Sequence, residues 1–361
     1  MLRCRGHSLI RLPTVVPLRP NLLERVLIQK GIIPSVLLDT GVSMFQASAL
    51  LTAGDVRLFN HLADGPLTIE ELSTKTSCSQ HGLQVLLTCM LNLGYLDQRG
   101  RHYSLTAAMR RSFPVELFPA MVPFFRAVNE KLNEATQAVR TDPPGGIMGW
   151  QMVTSGEVGR SYQAAMRWLG SSMVSEVVSR TRISAPPKRM LDVGGSHGLY
   201  SVEFCRKHPP LKATILDWPI GLESARFTMA QAGDVAERID LVECDFEKEN
   251  LPRGDYDFIF LGNIIHGLDE QSNQRLFDQI AAVSSNRATI AILDQYSNVK
   301  GSAFVKGVAS LIGWNLFLFA GGRAYDFDDV RKWLERSGFR STTLTHLRRS
   351  PGFSLIAAHK D

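Results

Sequence analysis

Hydrophobic positions change their spacing near residue 188, and the chain divides there. Before that point they recur at helical intervals. In the run from Met44 to Ala63, the residues Ala47, Leu50, Leu51, Val56, Leu58, Phe59 and Leu62 predict one helix, ended by Gly65-Pro66. Thr68, with Glu71 behind it, predicts a capping box that opens a second helix. Gln80 to Leu93 predicts a third, stopped by Gly94. Short strand patterns, Tyr95 to Gln98 and His102 to Leu105, flank a turn at Arg99-Gly100-Arg101. Helices followed by a hairpin are the outline of a winged helix. Residues 114–185 continue as helices, broken at Pro143-Pro144-Gly145-Gly146 and closed by Ala185-Pro186-Pro187.

From Lys188 onward strand runs alternate with helical ones. Arg189–Val193, Ala213–Asp217, Ile239–Cys244, Phe258–Leu261 and Ala288–Leu293 predict parallel strands joined by helices such as Leu199–His208. Ser341–Leu347 and Phe353–Ala358 predict an antiparallel edge hairpin. The expected class is α/β: a Rossmann-like, doubly wound sheet with that hairpin at its edge, preceded by an α-helical winged-helix domain. The expected divisions are an arm over residues 1–38, the winged helix over 39–113, a helical linker with pocket residues over 114–187, and the sheet domain over 188–361.

Composition narrows the class. With 44% hydrophobic and 21% charged residues, the chain of 361 can bury a large core, which argues against disorder or a fibre. The net charge is +5, yet Arg3, Arg5, Arg11 and Arg19 precede the first acid, Glu24, so the globular part is nearly neutral. A bulk basic surface for nucleic acid is not expected. The Arg-rich start has the composition of a transit peptide, but Pro13, Pro17 and Pro20 break the helix such a peptide needs. A disordered or loosely docked arm and a cytoplasmic protein are expected. The five cysteines (Cys4, Cys78, Cys89, Cys205, Cys244) form no CxxC pair, which argues for buried thiols and against disulfides or a metal site. No apolar run is long enough to span a membrane.

The candidate chemistry lies at strand ends. Leu191-Asp-Val-Gly-Gly-Ser-His-Gly198 leaves the first strand and opens a helix, where glycines let backbone amides approach a ligand. Ser196 and Leu199 occupy positions that a dinucleotide fingerprint reserves for glycine, which disfavours a nicotinamide enzyme. Asp217 ends the second strand, where a carboxylate can accept from two ribose hydroxyls. Asp245 and Phe246 end the third, where an acid can accept from an adenine amine and a ring can stack. Each feature alone is as readily an ordinary turn or cap; together they point to a nucleoside pocket at the carboxyl edge of the sheet.

The blocks LDVGGSHG, ILDWP, ECDF and DFIFLGNIIHGLDE resemble the S-adenosylmethionine-dependent O-methyltransferases with a dimerising N-terminal winged helix, a family that includes plant caffeate-type, hydroxyindole and bacterial polyketide methyltransferases. The resemblance runs from about residue 40 to 360, through ASALLTAGDVRLFNHLADGPLTIEELS at the front and GGRAYDFDDVRKWLERSGF at the back. It implies S-adenosyl-L-methionine as cofactor, with Gly194 and Gly195 under the methionine part, Asp217 on the ribose, Asp245 and Phe246 on adenine, and Asn263 among the cofactor residues. It implies His266 as the catalytic base. A phenol is too weakly ionised at neutral pH to attack unaided, and an imidazole within reach is the usual remedy. The family often reads His-Asp-Trp here, whereas this chain has His266-Gly267-Leu268, so the adjoining carboxylate is missing. The imidazole is therefore expected to lack an orienting acid, unless Asp269 or Asp294 takes over that role. Gly262 and Gly322-Arg323-Ala324 replace the lysine and late acid of plant members.

Met166, Trp168, Met173, Trp314 and Phe317, with Phe319, are candidates for an apolar acceptor pocket, or equally for helix packing. The helix Gln80–Leu93 carries no Lys or Arg to read bases, so the winged helix is expected to make a homodimer and not to bind DNA. The expected function is methyl transfer to a hydroxyl of an aromatic or polyketide-like small molecule. The alternatives are a protein of this fold that binds the cofactor for other chemistry (hydroxylation, decarboxylation, C- or N-methylation) and a winged-helix ligand-sensing regulator.

Overall fold

The computed structural model describes residues 21–113, 115–143, 145–297, 302–350 and 352–360. Cys4, Arg3, Arg5, Arg11, Arg19 and the arm prolines Pro13, Pro17 and Pro20 lie outside them, as do Pro144 and Pro351. The chain forms two compact units, the first ending at Val122 and the second starting at Pro123.

In the first unit α1 (Leu22–Gln29) opens on a capping box in which the Asn21 side chain accepts the Glu24 N–H at 2.9 Å. A short α2 (Ser35–Leu37) runs through one π turn into α3 (Ser43–Asp55). The single helix expected over residues 44–63 is two. The chain turns at Arg57, whose φ is +52°, and restarts as α4 (Leu58–His61). The left-handed residue redirects the chain so that Leu58, Phe59 and Leu62 are all fully buried.

Strand β1 (Leu67–Thr68) leads into α5 (Ile69–Thr76), and the predicted capping box forms: Glu71 Oε2 accepts the Thr68 N–H at 2.7 Å. Helix α6 (Gln80–Asn92) stops at Gly94, φ +77°. Strands β2 (Leu96–Arg99) and β3 (His102–Leu105) complete a three-stranded sheet of order β1-β3-β2, the expected wing. Helix α7 (Ala107–Ser112) follows, and α8 (Phe118–Lys131) carries the chain past the division at Pro123.

The second unit adds α9 (Ala135–Thr141) and the long α10 (Gly156–Arg180) before its sheet begins. The sheet strands are β4 (Arg189–Val193), β5 (Lys212–Asp217), β6 (Ile239–Glu243), β7 (Tyr256–Gly262), β8 (Ser284–Gln295), β9 (Phe339–His346) and β10 (Phe353–Lys360), in the order β6-β5-β4-β7-β8-β10-β9. The first five are parallel, and β10 runs antiparallel between β8 and β9, as the edge hairpin predicted. Helices α11 (Leu199–Lys207), α12 (Pro219–Met229), α13 (Glu270–Val283), α14 (Ala303–Ala320) and α15 (Phe327–Arg336) complete the doubly wound arrangement. The central strands are buried on both faces, with Phe258, Phe260, Ile290 and Ile292 wholly enclosed, which is why they read as continuous apolar runs. β4 pairs with β5 on one side and β7 on the other. The order reverses there, and a crevice opens at the carboxyl ends of these strands. Glu176 fastens α10 to the edge hairpin: its carboxylate accepts the backbone N–H groups of Arg348 and Arg349 at 2.6 and 2.8 Å.

Candidate active site

The crevice is a cavity whose empty space, open mouth included, is about 1020 Å³. Its floor is the turn after β4. A side chain at Gly194, φ +65°, would collide with Ile264, and one at Gly195 would come within 2.6 Å of the Asp192 carboxyl carbon. Only glycine lets this turn pack so closely. Asp217 closes β5 beside it, its oxygens accepting the Ser196 N–H at 2.8 Å and the Trp218 N–H at 2.7 Å. Those bonds fix the carboxylate and leave each oxygen a second lone pair for a ligand hydroxyl. Burial pushes Asp217 up to about 6, against the lowering effect of its two amide partners. Asp192 is pushed up to about 7, mainly by burial, and the Asp217 charge nearby raises it further. The Ser201 hydroxyl donates to Asp192 at 2.6 Å.

Gly194, Gly195, Asp217, Phe246, Asn263 and Met166 all line this cavity. Asp245 does not. Its Oδ2 lies 2.7 Å from Lys248 Nζ, while Oδ1 accepts the Glu247 N–H at 3.2 Å, and Glu247 is the acid that lines the cavity on this side. Met173 is buried in the core on the α10 side of the sheet and does not line this cavity. Trp168 and Phe317 are also outside the lining, and Trp314 on α14 is exposed, 5.8 Å from the Phe317 ring. Phe319 joins a different group. It stacks on Tyr162 at 5.8 Å and meets Trp150 edge-on at 5.1 Å, and Trp150 meets Trp218 at 6.1 Å. This aromatic wall was not read from the sequence. Its signal lay in α10, where Gly159, Gln163, Met166 and Gly170 recur at helical spacing on one face.

His266 sits on a short 3₁₀ turn, Ile265–Gly267, between Ile264 and Leu268, which both line the cavity. The imidazole is buried, and its Nδ1 lies 2.6 Å from Oδ1 of Asp294 near the end of β8. Asp294 is wholly buried and also accepts the Gln295 N–H at 2.7 Å. Asp269, the other acid considered, is instead the N-cap of α13, accepting the Ser272 N–H at 2.7 Å. A carboxylate can only accept, which calls for a proton on Nδ1, and in the neutral imidazole with that tautomer Nε2 carries the lone pair. Such a dyad can take a proton from a hydroxyl.

Among the described residues no cluster of His, Cys, Asp and Glu is arranged to hold a metal. Two buried polar atoms without a hydrogen bond, Tyr200 Oη and Asn263 Oδ1, belong to cavity-lining residues. Buried polar groups are normally satisfied, so both are groups a ligand can serve.

The sequence profile of the O-methyltransferase domain family matches residues 130–340, and that of the O-methyltransferase dimerisation domain matches residues 42–111. Among curated relatives, the 3-hydroxy-5-methyl-1-naphthoate 3-O-methyltransferase of Streptomyces sahachiroi is 27% identical over 336 residues, covering 90% of this chain and 94% of the relative. The tetracenomycin polyketide synthesis 8-O-methyl transferase TcmO of Streptomyces glaucescens is 24% identical over 337 residues, covering 86% and 93%. Among solved structures, the mitomycin 7-O-methyltransferase MmcR aligns with a TM-score of 0.78 at 18% identity, covering 94% of this chain and 100% of that one. Human N-acetylserotonin methyltransferase in complex with SAM aligns with a TM-score of 0.75 at 20% identity, covering 90% and 97%. These structures share the fold.

Proposed function

The chain belongs to the O-methyltransferase family, and from that premise we propose that it methylates a hydroxyl of an aromatic or polyketide-like small molecule with S-adenosylmethionine as donor. The observation that carries the reading is the His266–Asp294 pair beside a cavity floored by glycines and walled by Asp217.

The residues fit the donor. Asp217 offers acceptor lone pairs for a ribose diol, Phe246 offers a ring to the base, and the glycine turn leaves backbone room for the amino-acid end. When bound, the sulfonium supplies the methyl group. The chain supplies the rest. His266 Nε2 takes the proton of the acceptor hydroxyl, while Asp294 holds Nδ1–H and so keeps that lone pair turned to its task. Trp150, Tyr162 and Trp218 give the cavity apolar aromatic faces that suit a flat acceptor and exclude water. The naphthoate and tetracenomycin activities in the names of two relatives agree with an acceptor of that kind. The dimerisation domain supports a homodimer formed through residues 42–111. No helix among the described residues is long and apolar enough to cross a membrane, and we place the enzyme in the cytoplasm.

The test has two parts. Calorimetry should show S-adenosylhomocysteine binding to the purified chain, and methyl-labelled donor should label at least one member of a panel of hydroxynaphthoates and hydroxyanthraquinones. A protein that binds no S-adenosylhomocysteine is not this enzyme.

A further inference from the structure

The turn that carries His266 is too short to hold itself. Its backbone bonds run from the Gly267 N–H to the Ile264 carbonyl at 3.1 Å and from the Leu268 N–H to the Ile265 carbonyl at 3.4 Å, and the second is long. Asn273 on α13 supplies what is missing. It is wholly buried, and its Nδ2 donates to the Ile265 carbonyl at 2.9 Å and to the Leu268 carbonyl at 3.2 Å, one on each side of His266-Gly267. Helical side chains lean back toward the N-terminus of their helix, so a residue in the first turn of α13 reaches the segment before it. Tyr325, buried just ahead of α15, adds another donor: its hydroxyl donates to the same Leu268 carbonyl at 2.6 Å.

Packing does not explain an asparagine here. Both acceptors are carbonyls, so the amide must turn its NH2 to them, and Oδ1 is left buried with no hydrogen-bond partner among the described residues. Buried polar groups are normally satisfied. Leucine, branched at the same carbon, would fill the space with no orphaned acceptor. What distinguishes asparagine at this position is the pair of bonds that Nδ2 makes. Those bonds join the His266 turn to a rigid element, since α13 seats Leu276, Phe277 and Ile280 in the core. Asp294 holds the imidazole by Nδ1, which fixes the ring and not the backbone that carries it. Upstream, the Asn263 N–H donates to the Leu293 carbonyl at 2.8 Å. The segment around His266 is thus tied to β8 at its start and to α13 at its end.

We infer that Asn273, with Tyr325 as a second donor, is a positioning residue for His266: it fixes the turn so that Nε2 stands where the acceptor hydroxyl gives up its proton. The inference rests on His266 being the base of the proposed methyl transfer and adds what holds that base in place. Neither Asn273 nor Tyr325 lines the cavity, so both act through the turn alone.

A double-mutant cycle on the full chain tests this, read as the single-turnover rate of methyl transfer to whichever hydroxynaphthoate or hydroxyanthraquinone the panel labels fastest. Asn273→Leu removes both donors at similar shape. It should lower the rate by at least about tenfold when His266 is present, part of the cost of a misplacement near 1 Å. In a His266→Ala background the same substitution should change the rate by less than about twofold, because a positioning residue acts only through the group it positions. Calorimetry should show S-adenosylhomocysteine affinity within about twofold of wild type, which reports an intact sheet domain. Tyr325→Phe, which removes a single hydroxyl, runs the same cycle with an expected loss of about threefold and serves should the leucine variant not fold. Equal losses in both backgrounds, or wild-type rates for both variants with His266 present, overturn the inference and leave the methyltransferase reading standing. A His266→Ala protein at wild-type rate, or a wild-type chain that labels no acceptor, overturns the reading and this inference with it.

Discussion

Asp294 holds His266 from a different strand. The carboxylate near the end of β8 and the imidazole just past the end of β7 are 28 residues apart in sequence and 2.6 Å apart in space. Parallel pairing of the strands makes the meeting possible, since Gly262 stands opposite Leu293 in the register and each partner follows shortly after. The carboxylate missing at position 267 thus has a counterpart on the neighbouring strand. Position 267 has a different occupant: a side chain there would come within 2.5 Å of the Trp150 indole.

The dyad gives the first prediction. His266→Ala should lower kcat by about 10²–10⁴, the usual share of general base catalysis, with S-adenosylhomocysteine affinity unchanged. Asp294→Asn should lower kcat by about tenfold or more, because an amide no longer fixes the tautomer that leaves Nε2 free. Steady-state rates with a weakly acidic phenol decide it. Wild-type turnover by the alanine variant would make His266 a structural residue.

A second prediction concerns the nucleoside end. Asp217→Ala should weaken S-adenosylhomocysteine binding by about 30-fold or more, from roughly 2–3 kcal/mol in hydrogen bonds to the ribose. Calorimetry with unchanged affinity would remove Asp217 from the site.

Much of this was legible from sequence, and what was not has identifiable causes. The glycine turn and Asp217 lie in one βα and one strand-end segment, so local order alone places them at the carboxyl edge. His266 was equally local, but its partner was one of two candidate acids, and only the strand register chose Asp294 and left Asp269 to cap α13. Met173 and Met166 share one helix and one residue type. The seven-residue step between them separates core from cavity, and composition cannot see that. Asp245 was placed by its strand end, whereas a lysine one turn on holds its carboxylate. The helix over 44–63 broke because propensity is blind to a left-handed residue at Arg57.

The buried acids of the cavity set a pH dependence. Asp192 and Asp217 stand at about 7 and about 6, above their unfolded values. A carboxyl raised in this way binds its proton more tightly when folded, so the stability it contributes is full below about pH 4 and is lost as pH rises through the folded values. Asp192→Asn, which still accepts from Ser201, should therefore raise the Tm of the free protein at pH 8 and leave it unchanged at pH 4. The expected gain is about 2–4 °C for each kcal/mol of charge burial relieved. A gain of the same size at both pH values in scanning calorimetry would show that packing, not titration, is responsible.

The dimer should depend on the exposed apolar residues of the first unit. Met44 and Phe45 on α3 are 71% and 74% exposed, within the matched dimerisation domain. Phe45→Glu places a charge where an apolar partner surface is expected. It should raise the dimer dissociation constant by at least about tenfold, the scale of a buried aromatic anchor. Sedimentation equilibrium checks it, and a variant as dimeric as wild type would put the interface elsewhere.

Two glycines packed at the His266 turn should behave differently, and the difference tests what positions His266. A side chain at Gly322 would run into the backbone carbonyl of His266, while the nearest atoms to one at Gly267 belong to the Trp150 ring. A side chain can rotate away, but a carbonyl moves only with the turn that carries it. Gly322→Ala should therefore displace His266 from the acceptor and lower kcat by about 10²-fold, since a misplacement near 1 Å is enough for that. Gly267→Ala should shift the indole, raising the acceptor KM several-fold with less effect on kcat. Both variants should bind S-adenosylhomocysteine as wild type does, because neither residue lines the cavity at the glycine turn. If Gly322→Ala retained full kcat, the position of the His266 turn would not limit the reaction.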